Sequence, residues 1–285
     1  MAEAADFSWS GLLAARRSDR PLIAGIVNAA PDSFSDGSGS IDAAERAAFA
    51  LQLLEDGAEL LDIGAESTRP GAAEVPADEE WRRLEPILQK IFAAKSDVIV
   101  SIDTRHALTA RRALQVGAKI INDVSGLKFD PAMKMCIAQY RAGAILTHSS
   151  AIPELMQQDG YIIQELVTEK VSLALREITD TAMAAGIRRD AIMLDVGIGF
   201  GKSRSGNYEL LRNAAKFEAD FALPFCWGVS RKSLLKSEKD SLAKRIAGSL
   251  ALAVKLAEQK VSLLRVHDVA QTVAALDAAQ AMNGH

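Results

Sequence analysis

A chain of 285 residues, 49% hydrophobic and 25% charged, is long enough to bury one large core or two small ones and reads as soluble and globular. Its formal net charge of −4 leaves no basic footprint for nucleic acid or an anionic membrane surface, so an anionic ligand needs local basic groups. No uncharged apolar run approaches the ~18 residues of a membrane span, and no basic–apolar–cleavage pattern marks a secretion signal, so a cytoplasmic protein is expected.

Residues 1–20 are alanine-rich and mixed. They form an N-terminal extension that either packs as a short helix or stays mobile. From 21 to 285, short apolar runs alternate with longer stretches of helical period. The runs are 22–27, 59–63, 98–102, 119–121, 144–146, 192–194, 225–227 and 263–266. The helical stretches are 42–55, 78–93, 108–116, 131–140 and 162–185, one starting near 208, then 242–258 and a last one ending at 279. Asp78 is placed to cap the second of these, after Pro76 and ahead of Glu79 and Glu80. Eight β–α units in one chain of this size predict a (β/α)8 TIM barrel with a short N-terminal extension. A doubly wound open sheet is the alternative. No Pro-, Gly- or Ser-rich linker divides the chain, so residues 21–285 are expected to form a single barrel domain. Cys136 and Cys226 lie far apart, outside any metal or redox spacing, and read as buried thiols.

In such a barrel the site lies where the strands end. Each run is followed by a polar group. Asn28 follows the first, Thr68 and Arg69 the second, Asp103 the third, and Asn122 with Asp123 the fourth. His148 follows the fifth, Asp195 the sixth, Ser230 to Lys232 the seventh, and the eighth carries Arg265 and leads to His267. Asp103 and Asp195 need donors if buried. A heterocycle edge with adjacent N–H groups supplies them, with Asn122 and Lys232 completing the match; capping a helix or pairing with a nearby Arg or Lys is the structural alternative. Arg69, Arg265 and His267 read as a cationic group near the polar loop 28–37, suited to a polyphosphate leaving group. Asn28 can serve Mg2+, which takes few protein ligands and keeps waters and phosphates. The pairs Arg16–Arg17, Arg111–Arg112 and Arg188–Arg189 read as solvated helix faces.

The segment GIGFGKS at 197–203 imitates a nucleotide-binding loop but has one residue too few between its first glycine and Gly-Lys-Ser. Its evenly spaced glycines also miss the dinucleotide pattern. They let the backbone approach a flat ligand, with Phe200 as an aromatic wall.

Seven ordered segments carry a resemblance. They are GIVNAAPDSFSDGS at 25–38, GAELLDIGAESTRPG at 57–71, SIDT at 101–104 and GAKIINDVSG at 117–126, then LDVGIGFGKS at 194–203, GVSRKS at 228–233 and LRVHDV at 264–269. With these the chain resembles dihydropteroate synthases, of the pterin-binding barrel family. The resemblance implies a transferase of folate biosynthesis that joins 6-hydroxymethyl-7,8-dihydropterin diphosphate to p-aminobenzoate. Pyrophosphate leaves first and the amine then attacks a cationic pterin methylene. It further implies that Asp103, Asn122, Asp195 and Lys232 bind the pterin, and that Asn28, Thr68, Arg265 and His267 hold pyrophosphate, with Mg2+ at Asn28. Phe34, Arg69, Pro70, Phe200 and Ser233 would border p-aminobenzoate. Asp36, Lys232, Arg265 and His267 would act in the chemistry, with the loop 29–38 closing over the site. A homodimer, without nucleic-acid or membrane partners, is the implied assembly.

The chain departs from the family pattern at Ala29–Ala30, where Val-Thr is usual, at Ala65, at Thr147 to Ser150 and at Val196. The first and third touch working loops. A non-catalytic or sulfonamide-insensitive paralogue is therefore one alternative, and a pterin-dependent methyltransferase another, although the SRKS segment and the first loop speak against the methyltransferase.

Overall fold

The structure, a computed structural model, describes residues 6–15, 20–30, 42–66, 74–150, 162–235 and 241–282. Eight strands alternate with helices after a first helix, α1 (Trp9–Ala14). The strands are β1 (Leu22–Asn28), β2 (Leu60–Gly64), β3 (Val100–Asp103), β4 (Ile120–Asp123), β5 (Gly143–Thr147), β6 (Ile192–Asp195), β7 (Cys226–Trp227) and β8 (Leu263–Val266). The helices between them are α2 (Ala43–Glu55), α3 (Ala77–Ala94), α4 (Ala107–Val116), α5 (Met133–Gln139) and α6 (Val167–Ala184). Then come α7 (Arg204–Arg212) and α8 (Ala214–Phe221), both before β7, and α9 (Leu242–Glu258) and α10 (Val269–Met282) on either side of β8.

All strand pairs are parallel, in the order β6-β5-β4-β3-β2-β1-β8-β7. A bridge between Leu194 and Phe225 joins the two ends of that order, and Leu194 N–H donates to Pro224 O at 3.0 Å. That closure makes a barrel and disposes of the open-sheet alternative. Side chains alternate across each strand. Ile23, Leu61, Ile63, Val100, Ile121, Leu146, Leu194 and Trp227 face the helices, while Leu22, Ala24, Leu60, Ile120, Ile145, Met193, Cys226 and Leu263 fill the interior.

The described part of the N-terminal extension, residues 6–15, packs on the barrel. Trp9 is fully buried against the interior cluster and donates from Nε1 to Ala144 O at 3.3 Å; Phe7 meets it edge-on, 4.9 Å between centroids. Helix starts follow local chemistry. Asp42 caps α2 by accepting from Ala44 N–H at 2.8 Å and Ser203 caps α7 by accepting from Gly206 N–H at 3.0 Å. Asp78 does not cap α3: the helix begins after Pro76, and Asp78 lies in its first turn paired with Arg112 at 2.7 Å. Pro76 is the N-cap, without a side-chain bond, and its carbonyl accepts from Glu79 N–H and Glu80 N–H at 2.9 Å. Arg112 is thus paired rather than simply solvated. Arg188 and Arg189 lie at a short 3-10 turn, Arg188 on Asp190 and Arg189 on Phe221 O at 2.7 Å. The Arg16–Arg17 pair lies outside the described residues. Cys136 and Cys226 are buried free thiols, as expected. No helix among the described residues is long and apolar enough to cross a membrane.

Candidate active site

The alternation that fills the barrel with apolar groups carries polar ones to its mouth. Two residues beyond Leu60 stands Asp62; two beyond Ile120, Asn122; two beyond Met193, Asp195; two beyond Leu263, Arg265. Asp103 ends β3 on the same side. Of these, Asp62, Asp103, Asn122 and Arg265 meet directly. Arg265 donates from Nε to Asp62 Oδ2 at 2.5 Å and from Nη2 to Asp103 Oδ2 at 2.6 Å. Asn122 Nδ2 donates to Asp62 Oδ2 at 3.1 Å. The absence of a side chain at Gly64 leaves room for Asp103: an added Cβ would lie 3.1 Å from Asp103 Cβ.

Asp62 has no exposed surface and is the hub of the cluster, yet it was not among the residues picked out from sequence. Its signal was a lone carboxylate inside the apolar run LLDIG, at an inward position. Asp123, beside Asn122, has a different job. It faces outward and fastens the next loop by accepting from Ser125 N–H and Leu127 N–H, both at 2.8 Å.

Electrostatics follow burial. Burial raises the Asp103 carboxyl, Arg265 pulling the other way and Asp62 adding to the rise. Burial likewise raises Asp195, against the Gly197 N–H that donates to Oδ1 at 2.7 Å and the cations Lys232 and Arg265. Burial pushes Lys232 down to about 8, with Asp195 opposing. Arg265 is held above its usual range because Asp62 and Asp103 outweigh the effect of burial. The Lys232 ammonium sits 4.6 Å from the centre of the Phe200 ring, which packs on Val124.

His267 departs from expectation. Burial, Arg231 and Arg265 push it down to about 3, so it is a neutral imidazole at pH 7, with Nδ1 3.0 Å from Ser230 Oγ. The expected cationic group is thereby reduced: His267 carries no charge and Arg265 is already matched by two carboxylates. Arg231 and Asp268 pair side by side and hold the loops after β7 and β8 together. Asn28 stands exposed at the end of β1, and Ser233 is exposed at the start of the 3-10 turn Ser233–Leu235; both lie outside the hydrogen-bonded cluster. Phe34, Asp36, Thr68, Arg69 and Pro70 lie outside the described residues. Behind the second loop, Arg105 pairs with Glu66 at 2.8 Å, both buried. Among the described residues no cluster of three or more His, Cys, Asp or Glu could hold a metal ion.

The family model described as "Pterin binding enzyme" matches residues 24–267. The dihydropteroate synthase of Neisseria meningitidis serogroup C is 41% identical over 269 residues, covering 93% of this chain and 93% of that protein. The chain belongs to the dihydropteroate synthase family. That assignment makes it a transferase. A probable bifunctional folylpolyglutamate synthase/dihydropteroate synthase of Haloferax volcanii is 37% identical over 276 residues, and this chain, 97% of it covered, spans 31% of that longer protein. Among solved structures, Xanthomonas albilineans dihydropteroate synthase with 4-aminobenzoic acid superposes at a TM-score of 0.84, with 38% identity over 94% of each chain. The same organism's enzyme in complex with 7,8-dihydropteroate gives 0.81 at 35% identity, covering 94% of this chain and 95% of that one. Both dihydropteroate synthase structures share the barrel, so the strand-end cluster described above occupies the mouth of a known scaffold.

Proposed function

We propose that this chain condenses 6-hydroxymethyl-7,8-dihydropterin diphosphate with p-aminobenzoate, releasing pyrophosphate and 7,8-dihydropteroate. The observation that carries the reading is the inward polar cluster, in which three carboxylates, Asp62, Asp103 and Asp195, face two cations, Arg265 and Lys232. Such a set complements a flat ring that donates N–H groups along one edge and develops positive charge at its methylene. Asp103 and Asp195 accept from the pterin, Asn122 offers both a donor and an acceptor, and Lys232 donates to a ring acceptor. Arg265 acts first as the counter-charge that fixes Asp62 and Asp103. Its remaining N–H groups serve the diphosphate, together with neutral His267 as a hydrogen-bonding group. Phe200 and Ser233, with Phe34, Arg69 and Pro70, border p-aminobenzoate. By the family resemblance, Thr68 would serve the phosphates and Asp36 would help keep water from the cation.

Among the described residues Mg2+ fits at Asn28. The exposed amide oxygen of Asn28 offers a single hard ligand, which suits an ion delivered with a diphosphate and keeping its waters. Bound there, it would neutralise charge on the departing pyrophosphate. A cytoplasmic homodimer is the proposed form, and sedimentation at equilibrium measures it.

The deciding experiment follows pyrophosphate release by the purified protein with pterin diphosphate, with and without p-aminobenzoate and Mg2+. Release that yields dihydropteroate only with p-aminobenzoate is expected. Tight pterin diphosphate binding without product would favour the non-catalytic paralogue, for which Ala29–Ala30 is the specific observation. Arg265→Ala strips the counter-charge from two buried carboxylates and is expected to lower turnover at least tenfold and stability by about 3 kcal/mol. Wild-type turnover would remove Arg265 from the chemistry.

A further inference from the structure

Lys202 follows the loop after β6, outside the hydrogen bonds that join Asp62, Asp103, Asn122 and Arg265. It is 4% exposed. Its ammonium donates to three backbone carbonyls: Gly197 O and Phe200 O at 2.9 Å and His148 O at 3.2 Å. Two of these belong to its own loop and the third to the residue after β5. His148 N–H in turn donates to Asp195 O at 2.9 Å, so strand end and loop are stitched from both sides. The fit leaves no slack. Gly197 has φ +70°, and a Cβ there would lie 1.9 Å from His148 O and 3.1 Å from Lys202 Nζ. Asn207 secures the far side: Oδ1 accepts from Gly199 N–H at 2.7 Å, and Nδ2 donates to Lys202 O at 3.2 Å and Ser203 O at 2.9 Å.

Groups that face ligand ride on this loop. Asp195 stands at its head, Phe200 lies on it, and an added Cβ at Gly199 would lie 3.5 Å from Lys232 Cδ, so the Lys232 stem passes beside the loop. We propose that Lys202 is a positioning residue: caged by three carbonyls, its ammonium locks the loop after β6 to the end of β5 and so fixes Asp195 and Phe200 for the substrates. The inference rests on the reading of Asp195 as a pterin anchor.

Lys202 also contributes charge. Around Asp195 stand Lys232 after β7, Arg265 on β8, the Cys226 thiol on β7, and Lys202 itself; His148, beyond β5, faces Lys202. Burial pushes Lys202 down to about 7, with Asp195 opposing and Lys232 adding. Removing this charge takes away one of the cations that favour ionised Asp195, so pterin binding should fail at a higher pH on the acid side.

The test measures pterin diphosphate affinity from about pH 5 to about pH 9, with thermal midpoints, for the wild type, Lys202→Gln, Asn207→Ala and Asp195→Asn. Lys202→Gln keeps N–H donors and loses the charge. It is expected to weaken pterin diphosphate binding roughly tenfold and to move the acid limb up by on the order of one pH unit. Asn207→Ala, which removes the Asn207 Oδ1 bond to Gly199 N–H without touching the charge, is expected to weaken binding with the acid limb in place. Wild-type affinity and an unmoved limb in Lys202→Gln overturn the proposal. Should Lys202→Gln not fold, unchanged affinity in Asn207→Ala overturns the positioning role of the loop. Unchanged affinity in Asp195→Asn instead overturns the site reading on which the inference rests.

Discussion

Glu80, on α3, has no exposed surface, and Thr104 Oγ1 donates to its Oε2 at 2.8 Å. Burial pushes this carboxyl from 4.5 up to about 7, with the hydroxyls of Thr109 and Thr104 resisting and Glu66 and Asp103 adding. The folded state therefore binds the proton more tightly than the unfolded state does. Its contribution is fully present below about pH 4.5 and is lost as pH rises through 7. Glu80→Gln keeps an oxygen for Thr104 and removes the charge. It should flatten that decline and gain about 3 kcal/mol above pH 7, read from urea midpoints at several pH values; an unchanged slope would mean that Glu80 stays ionised when folded. At this scale the sequence was informative where a polar group follows an apolar run, as with Asp103, Asn122, Asp195 and Lys232. Asp62 escaped because it sits inside its run, where a reading by run ends does not look. The charge on His267 was also illegible, since it depends on burial and on Arg231 and Arg265, which reach it from residues distant or adjacent in the chain.

Among the elements, the strands and most helices follow from periodicity, and the observed bounds shift by a few residues. Errors arose where two local signals competed. At α3, Pro76 and Asp78 could each start the helix, and proline won. Between β6 and β7, the stretch read as one helix from near 208 is two, α7 and α8, meeting at Asn213. The loop after β6 is legible as glycine-rich but not as braced, because its partners His148 and Asn207 lie in other segments. Gly197→Ala sets a Cβ against His148 O in a backbone region that favours glycine. It should cost about 2 kcal/mol and weaken pterin diphosphate binding. Gly228→Ala, where an added Cβ meets nothing within 4 Å, is the stability control. Equal denaturation midpoints for the two variants would contradict the crowding at Gly197.

For the whole molecule, eight regular units made the barrel legible, whereas the role of its first helix was not. Trp9 stands in a stretch with no clear period, and its burial depends on the first interior residues of strands from across the whole chain. Trp9→Ala removes the largest side chain from that floor. It should cost about 3–5 kcal/mol and lower the thermal midpoint by roughly 10 °C. Both Michaelis constants should hold, because the site lies at the opposite end; a shift in either would couple floor to mouth. The plug has one more consequence. A barrel sealed at its foot is a vessel with a single door. Whatever lodges deep, against Asp62 and Asn122, enters and leaves at the strand-end mouth and not through the foot, which Trp9 closes.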